Sequence, residues 1–552
     1  MSKWMDQKAI DTTIIYYTDN TLEKHFEEKV QDYLINASDG KKIISVSQKP
    51  MSFGDNICVG DIGRSHHSLF YQTLIGAEAA KTRYIALAEH DCLYTKEHFN
   101  WIPPSDNIFY YNVNQWLVQW NNKIAGQYSY FRRKCMSQLI CNRELYIHAV
   151  KDRLILLENG YIIKKGKLGA CEPGVCDNRV AFIRNKAELA KFKDIGKQEK
   201  FKAMGFRTTI PNLDIRHGDN FSGNRRANKK CYSIPYWGSF HKVMGKVPPG
   251  RWYQEAVINE IGMTVSRKKD TSEKRWNNLI KPLIPYKKGE NRMFIELGCN
   301  AGFYCRKMAD LGYKSIGIEK EVEFIRHACF WESCDPRGVK IIEGDINNYE
   351  IPCSSIVLIA NVHYWLTTLE LNTLIKKLRE KSLYVIVVGR HNPSPKHKSP
   401  CDSEFLKISF SGWEIKDIRY GIKHYSIIFK NPDLIEKDVN EIFPFQQLSN
   451  SKRFLPSFEK FIRLVLSERK FNPLKTDYYK YLKWRKFDDI KSIIKKHINL
   501  IVNIKQNGIT KVLEIGRIVN GKYEKDRLVD GDHRYIIAKT VGIKKIICKI
   551  NK

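Results

Sequence analysis

The chain has 552 residues, with 93 Lys or Arg against 60 Asp or Glu, a formal net charge of +33. Hydrophobic residues make up 43% and charged residues 28%, which supports packed cores and excludes a largely disordered chain. No apolar run approaches the ~18 residues that a membrane span needs, and the opening MSKWMDQKAIDTTIIYY lacks the basic and then apolar order of a secretory signal, so a cytoplasmic location is expected (the host cytoplasm for a phage-encoded chain).

The positive excess has two readings. It fits a polyanionic partner, nucleic acid among them, and it fits the Lys-, Ile-, Asn- and Tyr-rich usage of an AT-rich genome spread over solvated faces. Residues 431–552 carry 27 Lys or Arg against 14 Asp or Glu, which makes this segment the best place for such a partner. The 14 cysteines show no repeated CxxC pair. Cys171 and Cys176 have no matching doublet nearby, so free thiols in a reducing compartment are expected rather than a zinc site.

In chain order, residues 1–245 alternate strand-like and helix-like stretches. TTIIYYTDN (12–20) and KIISVSQKP (42–50) read as strands. HSLFYQTLIGAEAAKT (67–82) has helical spacing, and RYIALAEHDCLY (83–94) reads as a third buried strand ending in acid. With Glu89 and Asp91 at that tip, the section resembles GT-A glycosyltransferases, which use an acidic element there. The resemblance implies a Rossmann-type domain binding a nucleotide-sugar donor through Thr18, Asp19, Gln72, Glu89 and Asp91. It also implies Mn or Mg on Asp91 and a catalytic role for that residue. E-H-D departs from the family's D-x-D. NLDIRHGDNFSG (212–223) clusters Asp214, Arg216, His217 and Asp219. His217 is a candidate late metal ligand and Arg216 a candidate diphosphate clamp; a polar turn explains the same cluster without chemistry. Glu172 is a weaker candidate base.

Residues 250–430 form a second alternating section. In MFIELGCNAGFYCRKMADLGYKSIGIEKE (293–321) a buried strand leads into a turn with Gly298 and Gly302, which opens a helix whose free N–H groups suit a close-approaching ligand. A second strand ends at Glu319, where a carboxylate is placed to accept ribose hydroxyls. The pattern is E-x-G-x-x-x-G rather than G-x-G-x-x-G, and it resembles motif I of class I S-adenosylmethionine methyltransferases. VKIIEGDI (339–346), SSIVLIANVHYW (354–365), LYVIVVGR (383–390) and a closing hairpin (413–430) follow in that family's order. The resemblance implies S-adenosylmethionine held by Glu296, Gly298, Asn300, Gly302, Glu319, Asp345 and Asn361. RWYQE (251–255) with GCNAGFY resembles the wobble-uridine tRNA carboxymethyl-transferring group and related glycan-cluster methyltransferases. Asn361-Val362-His363-Tyr364 is not the D/N-P-P-Y/F/W of DNA amino-methyltransferases, so an acceptor hydroxyl is expected. His363 is either the base that activates it or a residue packing against the cofactor. Arg251, Trp252 and Tyr253 either cover the site or serve as structure.

Residues 431–490 are expected to be a helical basic linker. Residues 491–552 contain Asp530-Gly531-Asp532-His533-Arg534, which resembles the G-x-H-R box of ParB-like and sulfiredoxin-like domains. That implies phosphate or nucleotide on Gly531, His533 and Arg534; the sulfiredoxin cysteine is replaced by Asp532. The expectation is a multidomain α/β chain: a GT-A-like domain, a doubly wound methyltransferase sheet and a small ParB-like tail. The leading function is a bifunctional transferase, a glycosyltransferase joined to an O-methyltransferase, acting on a glycan or glycoconjugate. Alternatives are a tRNA or DNA modification enzyme and a non-catalytic scaffold.

Overall fold

A computed structural model describes residues 12–550 apart from 121–124, 132, 159–161, 164–171, 176–181, 184–200, 219, 221–229, 259–262, 266–270, 291, 443–453, 468–471, 485–486, 488, 508, 520–521 and 531. Cys171, Cys176, Asp219 and Gly531 therefore lie outside the described residues. The described cysteines are free thiols, most of them buried. Among the described residues no helix is long and apolar enough to cross a membrane. The chain divides into two compact units, Met1–Val247 and Pro248–Lys552.

In the first unit, strands numbered along the chain build a seven-stranded sheet. Its spatial order is β12 (Lys202–Phe206), β6 (Ile108–Asn112), β9 (Leu139–Asn142), β4 (Tyr84–Glu89), β1 (Thr12–Thr18), β2 (Ile43–Ser47) and β3 (Asp55–Cys58). β9 alone runs antiparallel to its neighbours. β-Branched and aromatic residues fill β1, and all seven are buried, as a strand covered on both faces requires. The helix His66–Ala79 packs on this sheet through Gly76, where a Cβ would lie 2.5 Å from the Ile15 side chain. A second sheet runs β14 (Lys230–Cys231), β8 (Tyr128–Phe131), β7 (Gln115–Gln119), β13 (Asn212–Arg216) and β5 (Cys92–Leu93). The stretch expected as one strand, 83–94, is thus two: β4 ends at Glu89, the chain turns at His90 and Asp91, and β5 joins the other sheet. β10 (Ile162–Ile163) and β11 (Phe182–Ile183) form a separate short pair.

In the second unit, a short pair, β15 (Ala256–Ile258) and β16 (Met263–Val265), precedes the main sheet. The sheet order is β19 (Lys340–Glu343), β18 (Lys314–Glu319), β17 (Met293–Leu297), β20 (Ser354–Ala360), β21 (Ser382–Arg390), β23 (His424–Lys430) and β22 (Glu414–Tyr420). The first five strands are parallel. The closing hairpin β22–β23 adds antiparallel to β21. This is a doubly wound sheet whose order reverses between β17 and β20, the crevice where such folds bind ligands.

The segment 431–490 needs correction. Besides its helices it contains β24 (Leu434–Asp438), which pairs with β27 (Lys545–Ile550). With β25 (Leu513–Val519) and β26 (Lys522–Asp530) they form a four-stranded sheet ordered β24-β27-β25-β26. The helices Phe454–Leu466, Asp477–Trp484 and Ile490–Asn507 share one apolar core with this sheet. A short strand amid charged residues gives little local signal, because its pairing partner lies far along the chain.

Candidate active sites

In the first unit, β1, β2 and β4 end side by side around a cavity of about 340 Å³. Thr18, Asp19, Gln72, Glu89 and Asp91 all line it, together with Glu172, Asp214 and Arg216. Asp19 accepts from Thr21 and pairs with Arg64 at 2.6 Å. Burial pushes its carboxyl up, but His90, Thr21 and Arg64 together hold it below the ordinary value. Gln72 is not free to reach a base with its amide nitrogen: that group donates to the Thr18 and Val46 carbonyls at 2.8 and 3.0 Å, fixing the ends of β1 and β2.

Glu89 and Asp91 have opposite characters. Burial and the Asp91 charge push Glu89 up towards the neutral acid, and the Tyr17 hydroxyl donates to it at 2.7 Å. Burial also pushes Asp91 up, but His217, His90 and Arg216 outweigh it and keep Asp91 ionised. Asn220 donates to Asp91 Oδ2 at 2.7 Å, and His217 Nε2 faces it at 3.7 Å. Ligand atoms of His90, Asp91 and His217 all lie within 4.8 Å of one another. Two imidazoles and a carboxylate suit a first-row transition cation better than Mg²⁺, which prefers oxygen. His90 was not singled out in the sequence. The only signal was its place inside E-H-D, and its contact with Thr18 Oγ1 at 2.8 Å is visible only in three dimensions. Arg216 is buried against Asp214 at 2.8 Å, with both side chains 5% exposed, so its charge is already matched inside the wall.

In the second unit, Glu296 sits in β17, and the turn after it holds Gly298, Asn300 and Gly302 at φ +73°, +54° and +80°. A Cβ on Gly298 would meet the Val362 side chain at 2.6 Å, so only glycine fits there. Glu319 at the tip of β18 accepts from the backbone N–H of Asn300 at 2.8 Å, Lys320 at 2.9 Å and Glu321 at 3.0 Å. It thereby locks the glycine turn to the second strand. Asp345 lies in the turn after β19 and accepts from Asn347 N. Asn361, after β20, has φ +60°.

Two buried acceptors in this crevice lack partners among the described residues: Glu296 Oε1 and Asn361 Oδ1. The other Glu296 oxygen accepts from Cys305 N at 3.1 Å, and burial pushes the carboxyl up to about 8. Unpaired acceptors beside a turn that tolerates no Cβ fit a ligand that brings ammonium or hydroxyl donors, as S-adenosylmethionine does.

His363 behaves differently from a base at an open acceptor site. It is fully buried in the short turn His363–Trp365, packed towards the 399–402 loop, with its pKa lowered to about 4 by burial. Its ring lies edge-on to Tyr364 with centres 4.9 Å apart. Trp252 stacks on His327 with ring centres 4.2 Å apart, a structural role, whereas Tyr253 is exposed. Arg251 N donates to Glu323. Gln254, quoted in RWYQE but given no role there, caps the motif helix by accepting from Phe303 N at 3.0 Å.

Arg534 spends its guanidinium on the Lys511 and Val512 carbonyls at 2.7 and 3.0 Å and on Asp530 at 2.8 Å. His533 stacks on His497 with centres 4.5 Å apart and lies edge-on to Phe454 and Phe458. Both residues help hold the helix Asp532–Thr540 to its neighbours.

No family of known proteins and no curated protein matches the chain. Solved structures do match. They include the PH0226 protein of Pyrococcus horikoshii OT3, at 14% identity over 30% of this chain and 92% of that one, with a TM-score of 0.27. An S-adenosylmethionine-dependent methyltransferase of Aquifex aeolicus matches at 16% identity over 28% and 92%, with a TM-score of 0.24. The N-methyltransferase NodS of Bradyrhizobium japonicum WM9, in complex with S-adenosyl-L-homocysteine, matches at 16% over 26% and 78%, with a TM-score of 0.23.

Proposed function

We propose that the chain is a bifunctional transferase: an S-adenosylmethionine-dependent methyltransferase in the second unit and a nucleotide-sugar transferase in the first, acting on a glycan or glycoconjugate. The observation that carries the methyltransferase reading is the crevice between β17 and β20. It brings Glu296, Gly298, Asn300, Glu319 and Asn361 together around two unpaired buried acceptors. Bound S-adenosylmethionine supplies an electrophilic methyl group.

The protein's own residues then do four things. Gly298 and Gly302 let the backbone approach the cofactor. Glu319, already pinned by three N–H donors, presents its remaining oxygen capacity to ribose hydroxyls. Asp345, in the turn after β19, would hold the adenine edge. Glu296 gains an ionic partner that favours its charged form. The methyl transfer is a displacement helped mainly by alignment. His363 takes no part in it.

For the first unit, supporting observations are the 340 Å³ cavity at the switch between β1 and β4 and the His90–Asp91–His217 donor set. The residues fit Mn²⁺ or a similar cation, which would offset the charge of a donor diphosphate. Asp91 stays ionised for this purpose, while Glu89 is held protonated beside it.

Isothermal titration with S-adenosylmethionine tests the first half, and thermal shift with UDP-, GDP- and dTDP-sugars, with and without Mn²⁺, tests the second. Saturable binding of the methyl donor that is lost in Glu319→Ala is expected. No heat with wild type, or unchanged affinity in Glu319→Ala, overturns the methyltransferase assignment. Silence with every sugar nucleotide overturns the transferase assignment of the first unit.

A further inference from the structure

Beside the methyl-donor crevice the sheet gathers basic side chains that form no ion pair among the described residues. Arg390 ends β21 and is paired in register with His424, the first residue of β23. Directly opposite residues of an antiparallel pair project from the same face. Arg275 closes the helix Thr271–Arg275, which continues as a π-helical turn, Trp276–Ile280; such turns recur at functional sites. That turn is fastened to the same hairpin: Ser426 Oγ donates to the Leu279 carbonyl at 2.7 Å, and the Leu279 side chain lies 3.6 Å from where a Cβ on Gly421 would sit.

Arg275 and Arg390 act on common neighbours. Both charges reach the Tyr364 hydroxyl, with which Arg390 shares a hydrogen bond, and both reach the His424 ring. Arg275 also acts on Tyr304 in the motif helix. The Tyr304 hydroxyl is buried, with Ser272 beside it. Tyr364 and Tyr304 each follow a cofactor loop, so the two arginines border the place where the methyl group would be delivered. Neither arginine pairs with a carboxylate among the described residues. His391 and Lys423 also lie near His424, whose pKa is lowered to about 4 by burial and then by these basic neighbours. Exposed Tyr253, Trp365 and Tyr420 belong to the same loops and hairpin.

We infer that Arg275, Arg390 and His424 form an oxyanion-recognition site for the acceptor, which is an acidic saccharide carrying a phosphate or a carboxylate. Arg275 Nε donates to the Thr271 carbonyl at 3.1 Å and Arg390 bonds the Tyr364 hydroxyl, but guanidinium groups without a carboxylate partner keep N–H donors that suit either anion. This inference rests on the methyltransferase reading of the second unit and names its substrate class.

The test uses the full chain saturated with S-adenosyl-L-homocysteine. Glucose 1-phosphate, glucuronate, inorganic phosphate, neutral glucose and a short single-stranded oligonucleotide are titrated by calorimetry. Saturable binding of glucose 1-phosphate or glucuronate, but not of glucose, is expected, and which one binds distinguishes the two anions. Arg275→Gln and Arg390→Gln should each weaken it about tenfold, as loss of a charge-assisted bond does, with the melting temperature kept. Arg390→Lys covers the case in which the glutamine variant loses its Tyr364 contact and fails to fold. Affinity for S-adenosylmethionine should stay unchanged in all three. A fall in that affinity would mean that the arginines hold the donor's own carboxylate. Equal binding of glucose, no saccharide binding, or binding of the oligonucleotide alone would each overturn the inference. If wild type binds no methyl donor at all, the underlying methyltransferase reading fails instead.

Discussion

Arg292 Nε donates to Glu436 Oε2 at 2.6 Å, joining the residue before β17 to the middle of β24. The two side chains are 9% and 8% exposed. Ser355 in β20 donates to the other Glu436 oxygen at 2.7 Å, and the guanidinium lies over the Tyr286 ring. This ion pair therefore couples the seven-stranded sheet to the four-stranded one. Removing Glu436 leaves Arg292 only the exposed Glu290 carboxylate at 3.3 Å and takes the acceptor from Ser355. Glu436→Ala should cost about 3 kcal/mol, read as a lower denaturant midpoint. Loss of less than about 0.5 kcal/mol would mean that the pair is solvated in solution.

The glycine turn makes a sharper prediction. Gly298→Ala adds a methyl group at φ +73° and 2.6 Å from Val362. The backbone strain alone costs about 1–2 kcal/mol, and the turn must shift away from the cofactor. Calorimetry should show S-adenosylmethionine affinity down by more than about tenfold. Val362→Ala in the same background should restore part of it, because it removes the clash and leaves the strain.

Glu296 gives a pH dependence. Its folded pKa of about 8 stands above the ordinary 4.5 because of burial. Its favourable contribution is complete below pH 4.5 and is lost as pH rises through 8. Between those values the ligand-free protein should lose up to about 1.4 kcal/mol per pH unit from this group. Glu296→Gln keeps the buried shape without the titration. Its denaturation midpoint should fall less than that of wild type between pH 5 and 8, while its affinity for the methyl donor drops. Parallel pH profiles for the two proteins would refute the burial argument.

In the first unit, Mn²⁺ titration reads the donor set directly. His90→Ala and His217→Ala should each weaken Mn²⁺ binding by roughly tenfold or more, about 1.4 kcal/mol. Asp91→Asn should abolish it, since the carboxylate is the only anion among the three ligands. Chelation should reverse any thermal stabilisation by the metal. If the Asp91 variant binds Mn²⁺ as wild type does, the ion sits elsewhere.

The tail offers a negative test. Arg534→Ala removes three hydrogen bonds that tie a helix to the 511–512 backbone and to Asp530. A stability loss of about 1–3 kcal/mol is expected. ATP and CTP should leave the melting temperature of wild type and variant alike unchanged. A nucleotide shift in wild type that vanishes in the variant would restore the phosphate-binding reading.

Both crevices were legible in the sequence for one reason. A buried run ending in glycine or acid marks the carboxyl end of a parallel strand, and doubly wound sheets bind ligands there. Thr18, Asp19, Glu89 and Asp91 line one cavity on that account, and Glu296, Gly298 and Glu319 share the other turn. What escaped depends on distant pairing. Nothing near His90 says that Thr18 and His217 will stand beside it, and nothing near Gln254 says that it will cap the helix at Phe303. The structural ties of His363, His533 and Arg534 were equally invisible in the sequence. A polar residue in a motif-like string reads as chemistry, while the fold buries His363, stacks the half-buried His533 on His497 and ties Arg534 to two backbone carbonyls.

The position of β27 has a kinetic consequence. It lies between β24 and β25, so β24 has no sheet to join until a segment more than a hundred positions later has been synthesised. During translation the strand that directly follows the seven-stranded sheet must wait with an open edge, a site for mispairing. Its charged composition, LIEKD, discourages such pairing. Closure of this sheet should therefore be the slow, late event in refolding, after the seven-stranded sheet has formed from nearer neighbours.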